Sequence, residues 1–194
     1  MVQAVRGVGV DIVDLGAFAA SLAEPGTRLT TAFSPTERRQ CRERAEARGA
    51  APAGEFSSSS SPSLSSVSST ARRGPAPSTR EEPLANHEPS AHRAADPLAR
   101  HLAGRWAVKE AVLKAWSAAL YGSPPVIAPD LLVWSEIETV CDAWGRPSVR
   151  LSGHVARQVA ATVGEDASWN VSLSHDGDSA VAFVVLEGVP GGPQ

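Results

Sequence analysis

Residues 98–120 constrain this chain most. They are rich in alanine and leucine, contain no proline, and favour one long helix. Plotted at about 100° per residue, Leu98, Leu102, Val112, Leu113, Trp116 and Leu120 share one stripe, which predicts a helix docked along that side. Arg105 and Lys109 fall inside the same stripe. An unpaired buried charge is costly. Either the two stems snorkel to the rim, or something anionic waits for both heads. Glu110 and Lys114 lie on an adjoining flank, four residues apart. Alone, they read equally well as a solvated pair stabilising the helix by roughly 0.2–0.5 kcal/mol. Beside Arg105 and Lys109 they complete the two cations, a carboxylate and a third cation that a metal-bound polyphosphate requires.

The remaining composition suits a single soluble domain with a real core: 194 residues, a net charge of −3 and 42% hydrophobic content. No apolar run approaches the ~20 residues needed to span a bilayer. Residues 1–7 lack a signal-peptide core and lead into a patterned strand. Cys41 and Cys141 form neither a metal-ligand spacing nor a disulfide framework. A cytoplasmic protein with no membrane partner is expected. The mild acidity argues against nucleic acid as a general partner.

Val8, Val10 and Ile12 alternate with Gly9, Asp11 and Val13, which predicts a strand over 5–15 with an acid on its second face. Asp14 then caps a short helix whose apolar side is Phe18, Ala19 and Leu22, and Pro25-Gly26 stops it. Ser34-Pro35-Thr36-Glu37 is a capping box with proline at the first helical position. Its helix carries Arg38, Arg39, Arg42, Arg44 and Arg48. From about Ala45 to Pro97 serine, proline and charge replace apolar residues. Such a stretch cannot repay its ordering entropy, so a disordered insertion over about residues 46–96 is expected within the one domain.

Beyond it, residues 131–142 and 148–151 read as strands joined by a turn at 143–147, and Val155, Val159 and Val163 mark a helix. Trp169, Val171 and Leu173 alternate along the next strand. Residues 180–186 are the most apolar and should be central. Strands following one another by hairpin-like links give an α+β fold, a small antiparallel sheet packed against a long helix and shorter helices. There is no internal repeat.

Asp11 by itself is most simply an acid on a solvent face. It gains meaning if Glu110 meets it, because two carboxylates with phosphate oxygens and water describe a Mg²⁺ site. Arg100 is placed for solvent. Ser172, Ser174 and His175 are expected to leave their strand together on its polar side, where they can bind a phosphate or order a water. Asp176 is a turn residue or a proton acceptor. Cys41 lies on the arginine-rich helix, an activating neighbourhood, but has no histidine partner nearby in sequence. Neither a nucleophile elbow nor a P-loop is present, and Gly7-x-Gly9 is too short to count as one.

Five elements occur in a familiar order: Gly9-Val10-Asp11-Ile12-Val13, Phe33-Ser34-Pro35-Thr36-Glu37, residues 102–111 with Trp106-Ala107-Val108-Lys109-Glu110-Ala111, Gly145-Arg146-Pro147, and Ser172-Leu173-Ser174-His175-Asp176. In this the chain resembles the holo-acyl-carrier-protein synthases, the short bacterial-type 4′-phosphopantetheinyl transferases, over everything but about residues 45–97. The resemblance implies transfer of the phosphopantetheine arm of coenzyme A to a serine of an acyl carrier protein, leaving adenosine 3′,5′-bisphosphate. It implies Mg²⁺ held by Asp11 and Glu110, and a homotrimer with active sites between protomers. Lys109 would spread charge at the reacting phosphate. Arg105, Lys114, Gly145, Arg146, Pro147, Ser174 and His175 would bind the nucleotide and its phosphates, and Glu110 or a water it orders, then Asp176, would take the serine proton. In-line attack on phosphorus needs these same parts.

Carrier proteins are acidic, so a basic docking surface is expected. The helix from Ser34 supplies five arginines diluted by Glu37, Glu43 and Glu46, whereas the segment after the first strand has only Arg28. The serine-rich stretch is a second departure from the short family pattern. Three rivals remain. The larger transferases are tandem, but the Lys-Glu core occurs once here. A Mg²⁺-dependent nucleotide pyrophosphatase would use water as acceptor. A non-catalytic carrier-protein binding module would not need Asp11, Lys109, Glu110 and Lys114 together.

Overall fold

The structure is a computed structural model in which residues 3–50 and 96–189 are described. They form β1 (Ala4–Asp14), α1 (Leu15–Ala23), α2 (Pro35–Ala50), α3 (Pro97–Ala119), β2 (Ile137–Cys141), β3 (Pro147–Leu151), α4 (Gly153–Thr162), β4 (Ser168–Asp176) and β5 (Ser179–Gly188). The expected insertion lies almost wholly outside the described residues. Residues 46–50 continue α2, and Asp96 caps α3 by accepting from the Leu98 amide. Both predicted caps at the start of the chain form: Asp14 accepts from Ala17 N, and Ser34 and Glu37 exchange backbone–side-chain bonds.

The α+β architecture expected from the sequence is present. β5 lies between β1 and β4 in one antiparallel sheet, central as its composition suggests. β2 and β3 form a separate two-stranded hairpin, so the expected run of hairpin-linked strands is divided between two sheets. The strand read over 131–142 is also shorter, because Pro129–Leu131 and Trp134–Glu136 are 3-10 turns. Glu136 bends this segment toward α4: its carbonyl accepts from Ser152 N and its carboxylate from Val155 N.

The helix α3 buries more than one stripe. Ala99, Ala103, Ala107, Ala111 and Ala115 make a second buried row. Small size matters at Ala111 and Ala115, where β1 lies directly on the helix. A Cβ on Gly9 would collide with the Ala111 carbonyl oxygen, and one on Gly7 with that of Ala115. The Gly7-x-Gly9 pair therefore lets a strand backbone touch a helix backbone. That approach brings Asp11, next on the same strand face, to the flank of α3. The opposite face of the sheet is open: Val8, Val10, Ile12 and Phe183 are 43–67% exposed, and Val10 pairs with Phe183 in register. Among the described residues no helix is long and apolar enough to cross a membrane.

Candidate active site

One flank of α3 carries the carboxylates. Asp11 and Glu110 line a single cleft with Asp14, Trp106 and Ser21. Burial pushes the Glu110 carboxyl above its ordinary value, the nearby Asp11 charge pushes it further, and Lys114 pulls it back. Lys114 Nζ donates to Asp11 Oδ1 at 2.8 Å and to the Val10 carbonyl at 3.0 Å. The two sequence-predicted metal ligands and Lys114 are thus brought together within one chain. No group of three or more His, Cys, Asp or Glu able to hold a metal occurs among the described residues. Two hard oxygen donors with room for water and phosphate still fit Mg²⁺, which seldom takes a full protein cage. Glu110 also borders an apolar cavity of about 430 Å³ walled by Leu113, Trp116, Leu132 and Trp134.

Lys109 is not at this site. It is fully buried, 2.9 Å from Glu37 Oε2, and donates to the carbonyls of Trp134 and Ile137. The anion that a lysine on the apolar stripe demanded belongs to the protein itself. Glu37, read as half of a capping box, also accepts from Ser34 N and Thr139 N at 2.9 Å. It therefore joins α2, α3 and β2 through one carboxylate. Desolvation lowers the Lys109 pKa, and the Glu37 charge and hydrogen bond oppose that. The expectation that Lys109 faces a diphosphate is corrected accordingly.

On another side of α3 lies a cavity of about 650 Å³ whose walls include Arg44, Arg100, Arg105 and His175, with no carboxylate among its lining residues. Arg105 is 1% exposed; its Nη2 donates to Cys141 Sγ at 3.2 Å. The Nε atoms of Arg100 and Arg105 are buried without a hydrogen-bond partner among the described residues. Unsatisfied guanidinium donors around a void with no acid describe an anion site. Gly145, Pro147 and Ser174 also line it. The Arg146 head turns instead to Asp142 Oδ2, 2.6 Å away.

His175 and the serines part company. Along β4 the exposed residues are Asn170, Ser172, Ser174 and Asp176, so His175 follows Leu173 toward α3. Its Nε2 is 3.0 Å from the Arg100 carbonyl, and it approaches this closely because residue 104 is glycine; a Cβ there would stand 2.8 Å from that nitrogen. Asp176 is exposed at the end of β4 and lines none of the three cavities described. Cys41 is not activated: it is fully buried, and burial raises its thiol to about 11. Sequence reasoning missed Arg44, Trp144 and Cys141, and discounted Arg100. Arg100 and Arg105 are a little over one helical turn apart, the signal that was available.

With this geometry established, likeness to known proteins is decisive. Residues 69–184 match the model of the ACPS, 4′-phosphopantetheinyl transferase superfamily. The chain belongs to that family. Holo-[acyl-carrier-protein] synthase of Corynebacterium glutamicum is 37% identical over 179 residues, 92% of this chain and 96% of the relative. That of Mycobacterium ulcerans is 35% identical over 181 residues, covering 93% and 95%. The Chronobacterium ammoniagenes ACPS–CoA complex superposes with a TM-score of 0.66 at 33% identity, over 97% of this chain and 99% of that one. The chain is accordingly a transferase of the holo-[acyl-carrier-protein] synthase type. Because those relatives are matched over nearly their whole length, a chain this long is not an outlier among them.

Proposed function

We propose that this transferase moves the 4′-phosphopantetheine arm of coenzyme A to a serine of apo acyl carrier protein, releasing adenosine 3′,5′-bisphosphate, with Mg²⁺ as cofactor. We further propose that each site is completed between protomers of a homotrimer in the cytoplasm. One observation carries this reading. Arg105 and Glu110 are five positions apart on α3, roughly 140° around the helix, and their cavities share no residue. A ligand with a charged nucleotide end and a reacting diphosphate is best served by the cationic cavity of one copy and the carboxylates of the next. The open row of Val8, Val10, Ile12 and Phe183 favours such association, since it leaves apolar side chains for a second copy to cover.

Within this reading Asp11 and Glu110 hold the Mg²⁺, which when bound neutralises charge on the diphosphate and polarises it. Glu110, or a water it orders, takes the proton from the carrier serine. Lys114 is tied to Asp11 by an exposed pair and can exchange that partner for a phosphate. Arg105, Arg100 and His175 hold the nucleotide phosphates, while the apolar cavity beside Glu110 suits the uncharged pantetheine arm. Lys109 clasps Glu37 in the interior and is given no contact with the diphosphate, and Asp176 is given no proton-transfer role. The acidic carrier is proposed to meet the arginines of α2, of which Arg39 and Arg42 are exposed.

The test is to incubate the protein with apo carrier protein, coenzyme A and Mg²⁺ and weigh the carrier by mass spectrometry. The expected result is a phosphopantetheine adduct, adenosine 3′,5′-bisphosphate in the supernatant, and loss of both with chelator. Coenzyme A hydrolysed without any carrier adduct would mean that water is the acceptor and overturn the proposal. Light scattering that shows only a monomer active in transfer would overturn the shared site.

A further inference from the structure

The turn between β2 and β3 carries a tryptophan that the family motif does not account for. Trp144 is 80% exposed, yet it lines the cationic cavity. A single exposed apolar side chain is ordinary. This one is held in place. Asp142 Oδ1 accepts from the amides of Trp144 and Arg146, both at 2.9 Å, and Asp142 Oδ2 binds Arg146 Nε. The Arg146 guanidinium carbon then sits 4.9 Å from the indole centroid. The ring is braced by a cation, its turn is fixed by one carboxylate, and most of its surface remains uncovered.

The cavity behind it is too large for a phosphate alone. Its volume of about 650 Å³ falls within the roughly 300–1,000 Å³ usual for drug-sized ligands. Its buried donors, Arg100 Nε and Arg105 Nε, call for an anion. An anion site with an exposed aromatic plate at its mouth has the two parts that recognise a nucleotide: donors for phosphate and a π-face for the base. We propose that Trp144 is the stacking platform for the purine of the nucleotide substrate, so that the site selects for a base as well as for phosphate charge. This rests on the coenzyme A reading above and adds to it the residue that reads the base.

The experiment titrates the full chain with adenosine 3′,5′-bisphosphate and, separately, with inorganic pyrophosphate as an anion without a base, by calorimetry. Trp144→Ala should weaken the bisphosphate about 10-fold or more, on the scale of one lost base–aromatic stack. Pyrophosphate should bind as before, and Trp144→Phe should recover most of the bisphosphate affinity. In the transfer assay Trp144→Ala should raise KM for coenzyme A with little change in kcat. Equal bisphosphate affinity in wild type and Trp144→Ala overturns the inference while leaving the transferase reading intact. Equal loss of both ligands also overturns it, because the tryptophan would then act on the cavity as a whole. A wild type that binds neither bisphosphate nor coenzyme A sinks both together.

Discussion

Lys109 and Lys114 stand on the same helix, and each meets a carboxylate, at 2.9 and 2.8 Å. The Lys109–Glu37 pair is 0% exposed on both sides, whereas Lys114 keeps 51% and Asp11 15% of its side-chain surface. Distance alone does not tell them apart. Burial and the completeness of the hydrogen bonding do. Glu37 has three donors and Lys109 three acceptors, all from the protein and all out of solvent, so the pair has no open side for a ligand. Asp11 and Lys114 are bound mainly to each other beside a second carboxylate, and that arrangement can be reopened. A lysine–carboxylate pair is a clasp in one place and, on the reading above, an exchangeable latch in the other.

Breaking the clasp should have the largest effect. Lys109→Met leaves Glu37 buried opposite a methyl group, and loss of one partner of a buried pair costs about 3–5 kcal/mol. Denaturant unfolding should show that loss, and the Lys109→Met/Glu37→Gln double variant should lose less than the two single variants summed. If Lys109→Met unfolds like wild type but no longer transfers, the buried lysine acts on substrate and the contrast collapses. Next comes the latch's neighbour. Glu110→Gln should cut transfer by about 10²–10³-fold, equivalent to several kcal/mol of charge stabilisation. Its folding stability should move the other way. A carboxyl whose pKa is raised by folding binds its proton more tightly in the native chain than in the unfolded one. Stability is therefore greatest below the ordinary carboxylate range and declines as pH rises through the raised value. Glu110→Gln removes that decline, so thermal melts at neutral pH should show a small gain that vanishes in acid.

The same contrast shows how much of the molecule was legible from its residues. The central place of β5 and both caps follow from local pattern, and Asp11 and Glu110 line one cleft. The role of Lys109 was half legible. Its place on an apolar stripe demanded an anion, but whether that anion was a substrate or Glu37 depends on a long-range contact that no local spacing encodes. Gly7 and Gly9 were given no role for a related reason. A glycine that clears a helix backbone looks, in sequence, like any other glycine. The cationic cavity was legible only in part, because Arg44, Trp144 and Cys141 come from α2 and the β2–β3 hairpin and converge only in three dimensions.

Opening the latch should barely affect folding. Lys114→Met removes a half-exposed pair worth about 0–1 kcal/mol, so its unfolding midpoint should nearly match wild type while transfer falls. A loss as large as that of Lys109→Met would mean that the two pairs do the same job.

The smallest effect is the most discriminating, because it reads the latch without any turnover. Glu110 feels three influences: burial and Asp11 raise its pKa, and Lys114 lowers it. In ¹³C-labelled protein free of metal, the Glu110 carboxyl should titrate above the usual glutamate range. Lys114→Met should move that midpoint higher still, because a neighbouring cation no longer favours the anion. Asp11→Asn should move it down, but not to the ordinary value, since burial is the largest of the three causes and survives the substitution. The acid side of the pH–rate profile should follow the same order in wild type and Lys114→Met. Lys109→Met sits on the other pair, so in whatever fraction remains folded it should leave the Glu110 midpoint close to that of wild type. Shifts of the same sign in Lys114→Met and Asp11→Asn would show that the two flanking charges do not act on Glu110 as a pair of opposites, and the cleft would have to be redrawn.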